Sequence, residues 1–373
     1  MNFELSDEQQ QLADSVGKFL TSDYSFEKRQ AIVRSDTGCS DAVWSTFANM
    51  GLTAIALPEA DGGFDGGAMD LMATMEACGE AHVVEPLLDN IAFGGRLVSR
   101  AGNADQRASL LPGLIDGSRR FAFASLEPGR RYALAPANTT ARQEGADWIL
   151  DGQKSVVIGA PSAHTLIVSA RTGDDGVSLF TVDASAKGVS LSASRTVDGQ
   201  RCADVTFAGV KLGADALLGD AGKALPLIEE AQDFATALLC SDAIGAMRYA
   251  NEATLEYTKT RKQFGTSISS FQVLQHRMVE MLITFEQARS MAILAAARVD
   301  ENGDPGERQR AISAAKVKIA DAARLISQES VQLHGGMGMT EELKVSHTFR
   351  RLTMIAQRFG DADHHLERFA AHA

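Results

Sequence analysis

The stretch DWILDGQKSVVI, residues 147–158, decides the fold, because here the apolar period changes from helical to alternating. Trp148, Ile149 and Leu150 lead into Asp151-Gly152, and Val156, Val157 and Ile158 follow. Asp-Gly between two β-forming runs predicts a hairpin turn, since glycine tolerates positive φ. Neighbouring stretches read the same way: RRFAFAS (119–125), HTLIVSAR (164–171), SLFTVD (178–183) and CADVTFAGVKL (202–212) are short, β-branched or aromatic, and set apart by turn residues. Residues 119–212 therefore read as a compact antiparallel β domain.

On both sides the period is helical. In residues 1–118, LSDEQQQLADSVGKFL has a capping residue at Ser6 and an apolar face of Leu12, Val16 and Leu20. DAVWSTFANMGL ends on Gly51, a helix C-cap. In residues 213–373 the helices are longer. One carries Phe271, Leu274, Met278, Met281, Leu282 and Phe285 as a stripe. Another carries Ile312, Ala315, Ile319, Ala322, Ile326 and Leu333, a pattern that suits a bundle. The fold class is α+β, with an N-terminal helical domain, a middle antiparallel β domain and a C-terminal four-helix-bundle-like domain.

Composition narrows the function. With 45 % apolar and 23 % charged residues the chain reads as a soluble globular enzyme. A net charge of −12 argues against a nucleic-acid partner, which requires a basic patch. Cys39, Cys78, Cys202 and Cys240 are far apart and form no C-x-x-C pair, so reduced thiols are expected, without a disulfide frame or zinc site. MNFELSDEQQQLADSV has neither a basic n-region nor an apolar h-region, and no run nears the roughly 20 apolar residues of a membrane span. A cytoplasmic protein is expected.

Two C-terminal segments carry a resemblance. RKQFGTSISSFQVLQHRMVEM (261–281) and QLHGGMGMTEEL (332–343) resemble the Arg-x-x-Phe-Gly…Phe-Gln…His and Gln-x-x-Gly-Gly-x-Gly segments of flavin-dependent acyl-CoA dehydrogenases. LPEADGGF, LEPG and DGQKSVVIGA fall in the family's order. The ending GGMGMT…FRRLT…FGDADHHLERF is similar to the small-subunit type of bacterial pimeloyl-CoA dehydrogenases.

The resemblance implies FAD as cofactor, an acyl-CoA thioester as substrate, and an electron-transfer flavoprotein as electron acceptor. It also implies a dimer or tetramer, homomeric or with a second, similar subunit. Arg261 and Phe264 would reach a neighbouring subunit's FAD, and a guanidinium fork suits a pyrophosphate. Gln272 and Gln332 would line that site, where Gly335 and Gly336 let backbone approach the cofactor. Ser125, Leu126, Val156 and Ile158 would face the flavin ring.

The sequence departs from the family at the chemistry. Leu126 stands where a Thr is usual, Val156 replaces a Trp, and Ile158 replaces a Thr. The catalytic Glu that precedes a Gly-Thr in many relatives falls at Phe359, which offers only its backbone N–H. The other location for the base falls at Ala235, beside Thr236. Asp242 and Asp361, with Asp363 near the same turn, are the carboxylates left as candidate bases. Adjacent His364 and His365 do not share a helical face, so RFGDADHHLERF is not read as a metal site. The expected function is dehydrogenation of an acyl-CoA to its trans-2-enoyl-CoA. The alternatives are a non-catalytic subunit that completes another chain's FAD site and a flavin oxidase or monooxygenase on the same fold.

Overall fold

The computed structural model describes residues 6–301 and 303–372. Residues 1–5, which begin the stretch read for a leader, lie outside the described residues with 302 and 373. Helices α1 (Asp7–Asp23), α2 (Phe26–Arg34), α3 (Asp41–Asn49) and α4 (Ala68–Ala81) come first. Helices α5 (Leu87–Asp89), α6 (Arg96–Ala101) and α7 (Ala104–Ile115) follow, a π-helical segment joining the first two. Next are β1 (Phe121–Ala124), β2 (Thr140–Glu144), β3 (Asp147–Ile158) and β4 (Thr165–Thr172). The sheet is completed by β5 (Gly176–Asp183), β6 (Val189–Arg195), β7 (Arg201–Leu212) and β8 (Leu217–Leu218). The chain ends in α8 (Leu225–Thr260), the short strands β9 (Lys262–Gln263) and β10 (Thr266–Ser267), then α9 (Gln272–Asp300), α10 (Pro305–His334), α11 (Lys344–Gln357) and α12 (Ala362–Ala371).

By its contacts the chain forms two compact units. One comprises residues 31–67 and 84–235 and holds the sheet, in the order β6-β7-β3-β2-β4-β5-β8. Most neighbours are antiparallel, but β1 and β2 each pair with β4 in parallel. The sheet's core includes Leu150, Leu166, Val168, Phe180 and Val205, with Trp148 edge-on to Phe180 at 5.3 Å.

The expected hairpin at Asp151-Gly152 is not formed. β3 runs through it: Leu150 pairs with Val210 and Gly152 with Phe207, so Asp151 faces both Ala208 and Gly209 and the bulge lies on β7. Asp151 Oδ1 accepts the Gly209 N–H at 2.7 Å, and a Cβ on Gly152 would stand 2.5 Å from Thr139 Cα. The real turn lies between β2 and β3, where Gly145 has φ 65° and Glu144 pairs with Asp147.

The other unit comprises residues 6–30, 68–83 and 236–372. α1 starts as its sequence predicts: Ser6 and Gln9 exchange the two hydrogen bonds of a capping box, and Val16 and Leu20 are buried. α4 and α8 cross at glycines. A Cβ on Gly79 would stand 1.9 Å from the Asp242 carbonyl oxygen, and one on Gly245 1.8 Å from that of Glu76, so these helix backbones can touch only without side chains. All six residues of the α10 stripe are buried. On α9 the stripe holds for Met281 and Phe285, but Leu282 is 52 % exposed. At about 100° per residue it lies on the flank of the stripe, between Phe285 and the exposed Val279.

Candidate functional site

In the helical unit the end of α8, the start of α9 and the end of α10 come together. Arg277 on α9 meets Glu329 on α10 at 2.5 Å, and Tyr257 stacks on His334 at 4.4 Å. Between α8 and α9, β9 and β10 form a hairpin whose two turn residues, Phe264 and Gly265, have φ of 53° and 81°. Two consecutive positive φ values mark a type I′ turn, which for Phe costs about 1–2 kcal/mol. Phe264 is 93 % exposed and stands edge-on to Phe271 at 6.3 Å. Arg261 is exposed and its side chain has no partner among the described residues. Gln272 and Gln332 are exposed at the adjoining helix ends. Gly335 has φ 61° and ψ −144°, a conformation suited to glycine. A Cβ at Gly335 or Gly336 would meet nothing within 4 Å. The structure thus brings Arg261, Phe264, Gln272, Gln332, Gly335 and Gly336 to one end of the bundle. A guanidinium without a partner among the described residues suits a phosphate, and a glycine turn with open space beside it lets backbone come close to a ligand.

The turn holding Phe359 and Asp361 sits elsewhere on the same unit. Phe359 has φ 61° and Gly360 φ 124°. The Phe359 carbonyl accepts from His365 Nε2 at 3.2 Å, and the Gly360 carbonyl from Lys316 Nζ at 2.7 Å. Lys316 also reaches the Ala356 carbonyl at 3.1 Å, closing the last turn of α11. Both groups are buried, and desolvation brings the Lys316 ammonium down to about 8 and the His365 imidazole to about 3. Asp361 caps α12, accepting the His364 N–H at 2.9 Å. With Asp363, Arg324, Gln357 and Phe349 it lines a cavity of about 410 Å³. Lys316 lies roughly 18 residues before His334, so this turn is about 27 Å along α10 from the glycine turn.

Asp242 is not placed as a base. It lies in the core of α8, 1 % exposed, and Arg351 of α11 holds both its oxygens through Nε at 3.1 Å and through Nη2. A carboxylate gripped bidentately by a buried guanidinium serves packing, since proton transfer would leave that cation without its counter-charge. Ala235 and Thr236 are likewise buried on α8.

In the sheet unit, Ser125 and Leu126 follow β1, and Val156 and Ile158 end β3. The Leu126 carbonyl accepts the Ser155 N–H at 2.8 Å, while the Leu126 N–H makes no hydrogen bond among the described residues. Ile158 pairs with Cys202 and is half-buried, whereas Val156 is 48 % exposed with φ 51°.

Sequence reasoning missed three residues here. Lys154 is fully buried, and its ammonium donates to the Ser125 carbonyl at 2.9 Å, Ser169 Oγ at 3.2 Å and Glu127 Oε1 at 3.3 Å. Glu127 also accepts the N–H groups of Ala137, Asn138 and Thr139. Burial raises the Glu127 carboxyl, but these three donors and Lys154 outweigh it and bring it to about 2. Desolvation, only partly opposed by Glu127, brings Lys154 down to about 8. Asp204 on β7 accepts the Val156 N–H at 2.9 Å. Glu127 and Lys154 stand inside LEPG and KSVVI, but nothing in those stretches shows that the two charges are buried together; Asp204 had no signal either, because its role depends on a bulge in the neighbouring strand.

Comparison with known proteins agrees with this fold. Three family models match in order: the N-terminal domain of acyl-CoA dehydrogenase over residues 6–118, the middle domain over 122–210 and the C-terminal domain over 225–373. The chain is 31 % identical over 363 residues to the acyl-CoA dehydrogenase FadE12 of Mycobacterium tuberculosis, covering 94 % of this chain and 92 % of that one. Among solved structures it resembles the Tcur3481-Tcur3483 steroid ACAD at 29 % identity and a TM-score of 0.88, covering 98 % and 97 % of the two chains. A glutaryl-CoA dehydrogenase from Mycobacterium smegmatis in complex with FADH2 shares the fold, with 22 % identity, a TM-score of 0.89 and 98 % and 94 % coverage.

Proposed function

The chain belongs to the acyl-CoA dehydrogenase family, whose cofactor is FAD, and from that premise we propose that it introduces a trans-2,3 double bond into an acyl-CoA thioester. The observation that carries this reading is the hairpin tip: an exposed Phe264 in a costly conformation beside the unpartnered Arg261. Neither cost is recovered among the described residues, whereas a partner's dinucleotide would recover both. The enzyme is accordingly at least a dimer. Bound FAD would supply the acceptor for the Cβ hydride. Arg261 would hold the pyrophosphate of the partner's FAD, Gln272 and Gln332 would line that end, the Gly335-Gly336 backbone would give it room, and the Leu126 N–H would be offered to a flavin ring. An electron-transfer flavoprotein takes the electrons, and the protein acts in the cytoplasm. The likeness of the C-terminal ending to pimeloyl-CoA small subunits favours a similar acyl chain.

A second reading has its own observation. Phe359 brings no carboxylate to the turn, and Asp242 is tied to Arg351. A chain that keeps the trans-acting hairpin while lacking the usual base fits a non-catalytic subunit that completes another chain's FAD site. The Tcur3481-Tcur3483 enzyme is named for two chains, which suits this arrangement. A visible absorbance scan of the purified protein, with and without a panel of CoA thioesters, separates the two. Bleaching of bound flavin by a thioester supports the dehydrogenase; a yellow protein that no thioester bleaches, or a colourless one, supports the partner subunit.

A further inference from the structure

We propose that Asp204 is a positioning residue for the cofactor-facing wall of the β domain, holding the Val156 bulge in a conformation that this residue would not keep alone. The inference rests on the reading that Val156 and Leu126 face the flavin ring, and adds the group that sets their geometry.

Lys154 pairs with Val205 and Val157 with Ala203, so Ser155 and Val156 on β3 stand opposite Asp204 alone on β7. Such a bulge leaves the extra residue outside the ladder. Both bulge N–H groups are nevertheless answered. Ser155 donates to the Leu126 carbonyl at 2.8 Å and Val156 to Asp204 Oδ1 at 2.9 Å. Val156 has φ 51° and is the only β-branched residue with positive φ among the described residues. For such a side chain this is an outlier that its surroundings must impose. A hydrogen bond to a carboxylate is of the stronger kind and supplies the imposing contact.

The bulge and the 125–127 loop form one assembly. Ser155 holds Leu126, Lys154 holds the carbonyl of Ser125, and Asp204 holds Val156. This leaves the Val156 side chain 48 % exposed and the Leu126 N–H unbonded at adjacent positions. Lys154 and Glu127 are core groups whose removal would disturb the whole domain. Asp204 is only half-buried, so it can be changed while the domain stays folded.

The test uses the full chain reconstituted with FAD, comparing Asp204→Ala, Asp204→Asn and Asp204→Ala with Val156→Gly. Asparagine keeps the accepting oxygen, and glycine adopts positive φ without constraint. Asp204→Ala is expected to shift the visible absorbance maxima of bound flavin, raise its fluorescence and weaken FAD retention at least about fivefold, with amide exchange at Val156 accelerated. Asp204→Asn should restore all four readouts toward the parent, and Val156→Gly should restore part of them in the alanine background. A folded Asp204→Ala protein with the parent's flavin spectrum and fluorescence overturns the proposal, as does an asparagine variant no better than alanine. A parent that takes up no FAD overturns the underlying reading and this proposal with it, and is seen before any variant is made.

Discussion

Asp242 of α8 and Arg351 of α11 form a buried bidentate ion pair, with neither side chain more than 6 % exposed. Removing one member of such a pair strands a charge in the core and costs about 3–5 kcal/mol. Asp242→Ala should therefore lower the thermal midpoint sharply in differential scanning calorimetry, and Asp242→Asn, which keeps one acceptor, should cost less. A folded Asp242→Asn protein should reduce its flavin with thioester at the parent rate. A selective loss of that rate at unchanged stability would return Asp242 to the list of bases.

Arg261 should behave in the opposite way. Exposed and unpartnered, it contributes little to the stability of its own chain, so Arg261→Ala should change unfolding by no more than about 0.5 kcal/mol. Loss of a charge-assisted contact to pyrophosphate costs about 1.5–3 kcal/mol, roughly ten- to a hundredfold in FAD affinity. Flavin content after dialysis measures this; retention equal to the parent contradicts the assignment.

The exposed face of α9 predicts association. Val279, Leu282 and Ile283 are each more than half exposed, Val279 and Ile283 opposite Met281 and Ala288 and Leu282 on the flank between. Leu282→Glu should leave the chain folded and shift sedimentation toward a smaller species. Identical sedimentation for variant and parent would exclude this face from the interface.

Glu127 gives the β domain an acid limit. Its folded carboxyl lies at about 2, below the usual 4.5, so the unfolded chain binds the proton more readily. The stabilisation is complete above pH 4.5 and is lost as pH falls toward 2, on the order of 3 kcal/mol at 1.4 kcal/mol per unit. Lys154, brought from 10.5 to about 8, is also protonated more readily in the unfolded chain. Stability from this group therefore rises with pH between 8 and 10.5. Urea midpoints across both windows check the signs, and Glu127→Gln should flatten the acid limb.

The fold was legible where one period served one partner. The α10 stripe is buried residue for residue, because that helix meets a single core on one side. Ser6 announced α1 through bonds that close within four residues. The reading of α9 went astray at Leu282, since apolar residues there serve two faces and spacing alone does not separate them. Asp151-Gly152 has the chemistry of a turn, but it lies in a continuous strand opposite a bulge on β7, where Asp151 accepts the N–H of Gly209 from far along the chain. The candidate positions came from resemblance, which carries no geometry. Nothing local reveals that Asp204 answers a bulge on β3 or that Arg351 claims Asp242.

The turn at Phe359 offers the most direct test of what the chain lacks. Its backbone is held independently of the Phe359 side chain, through Lys316 to the Gly360 carbonyl and His365 to the Phe359 carbonyl. Phe359→Glu should therefore keep the turn while placing a carboxylate where many relatives carry their base. General base catalysis is worth about 10²–10⁴-fold. At saturating thioester, Phe359→Glu should accelerate flavin reduction within that range, and Phe359→Gln, equal in size without the basicity, should not. Asp361→Asn should be nearly neutral, because asparagine caps a helix as well as aspartate does, and Asp363→Asn should be neutral as well. If the parent already reduces its flavin quickly and Phe359→Glu adds nothing, the base is present elsewhere. A loss of about 10²-fold in Asp361→Asn or Asp363→Asn would then identify it. If Phe359→Glu reduces flavin no faster and binds the thioester no better than a parent that is itself inactive, the deficit is not confined to the base. The chain's role would then lie in the hairpin it offers to another subunit.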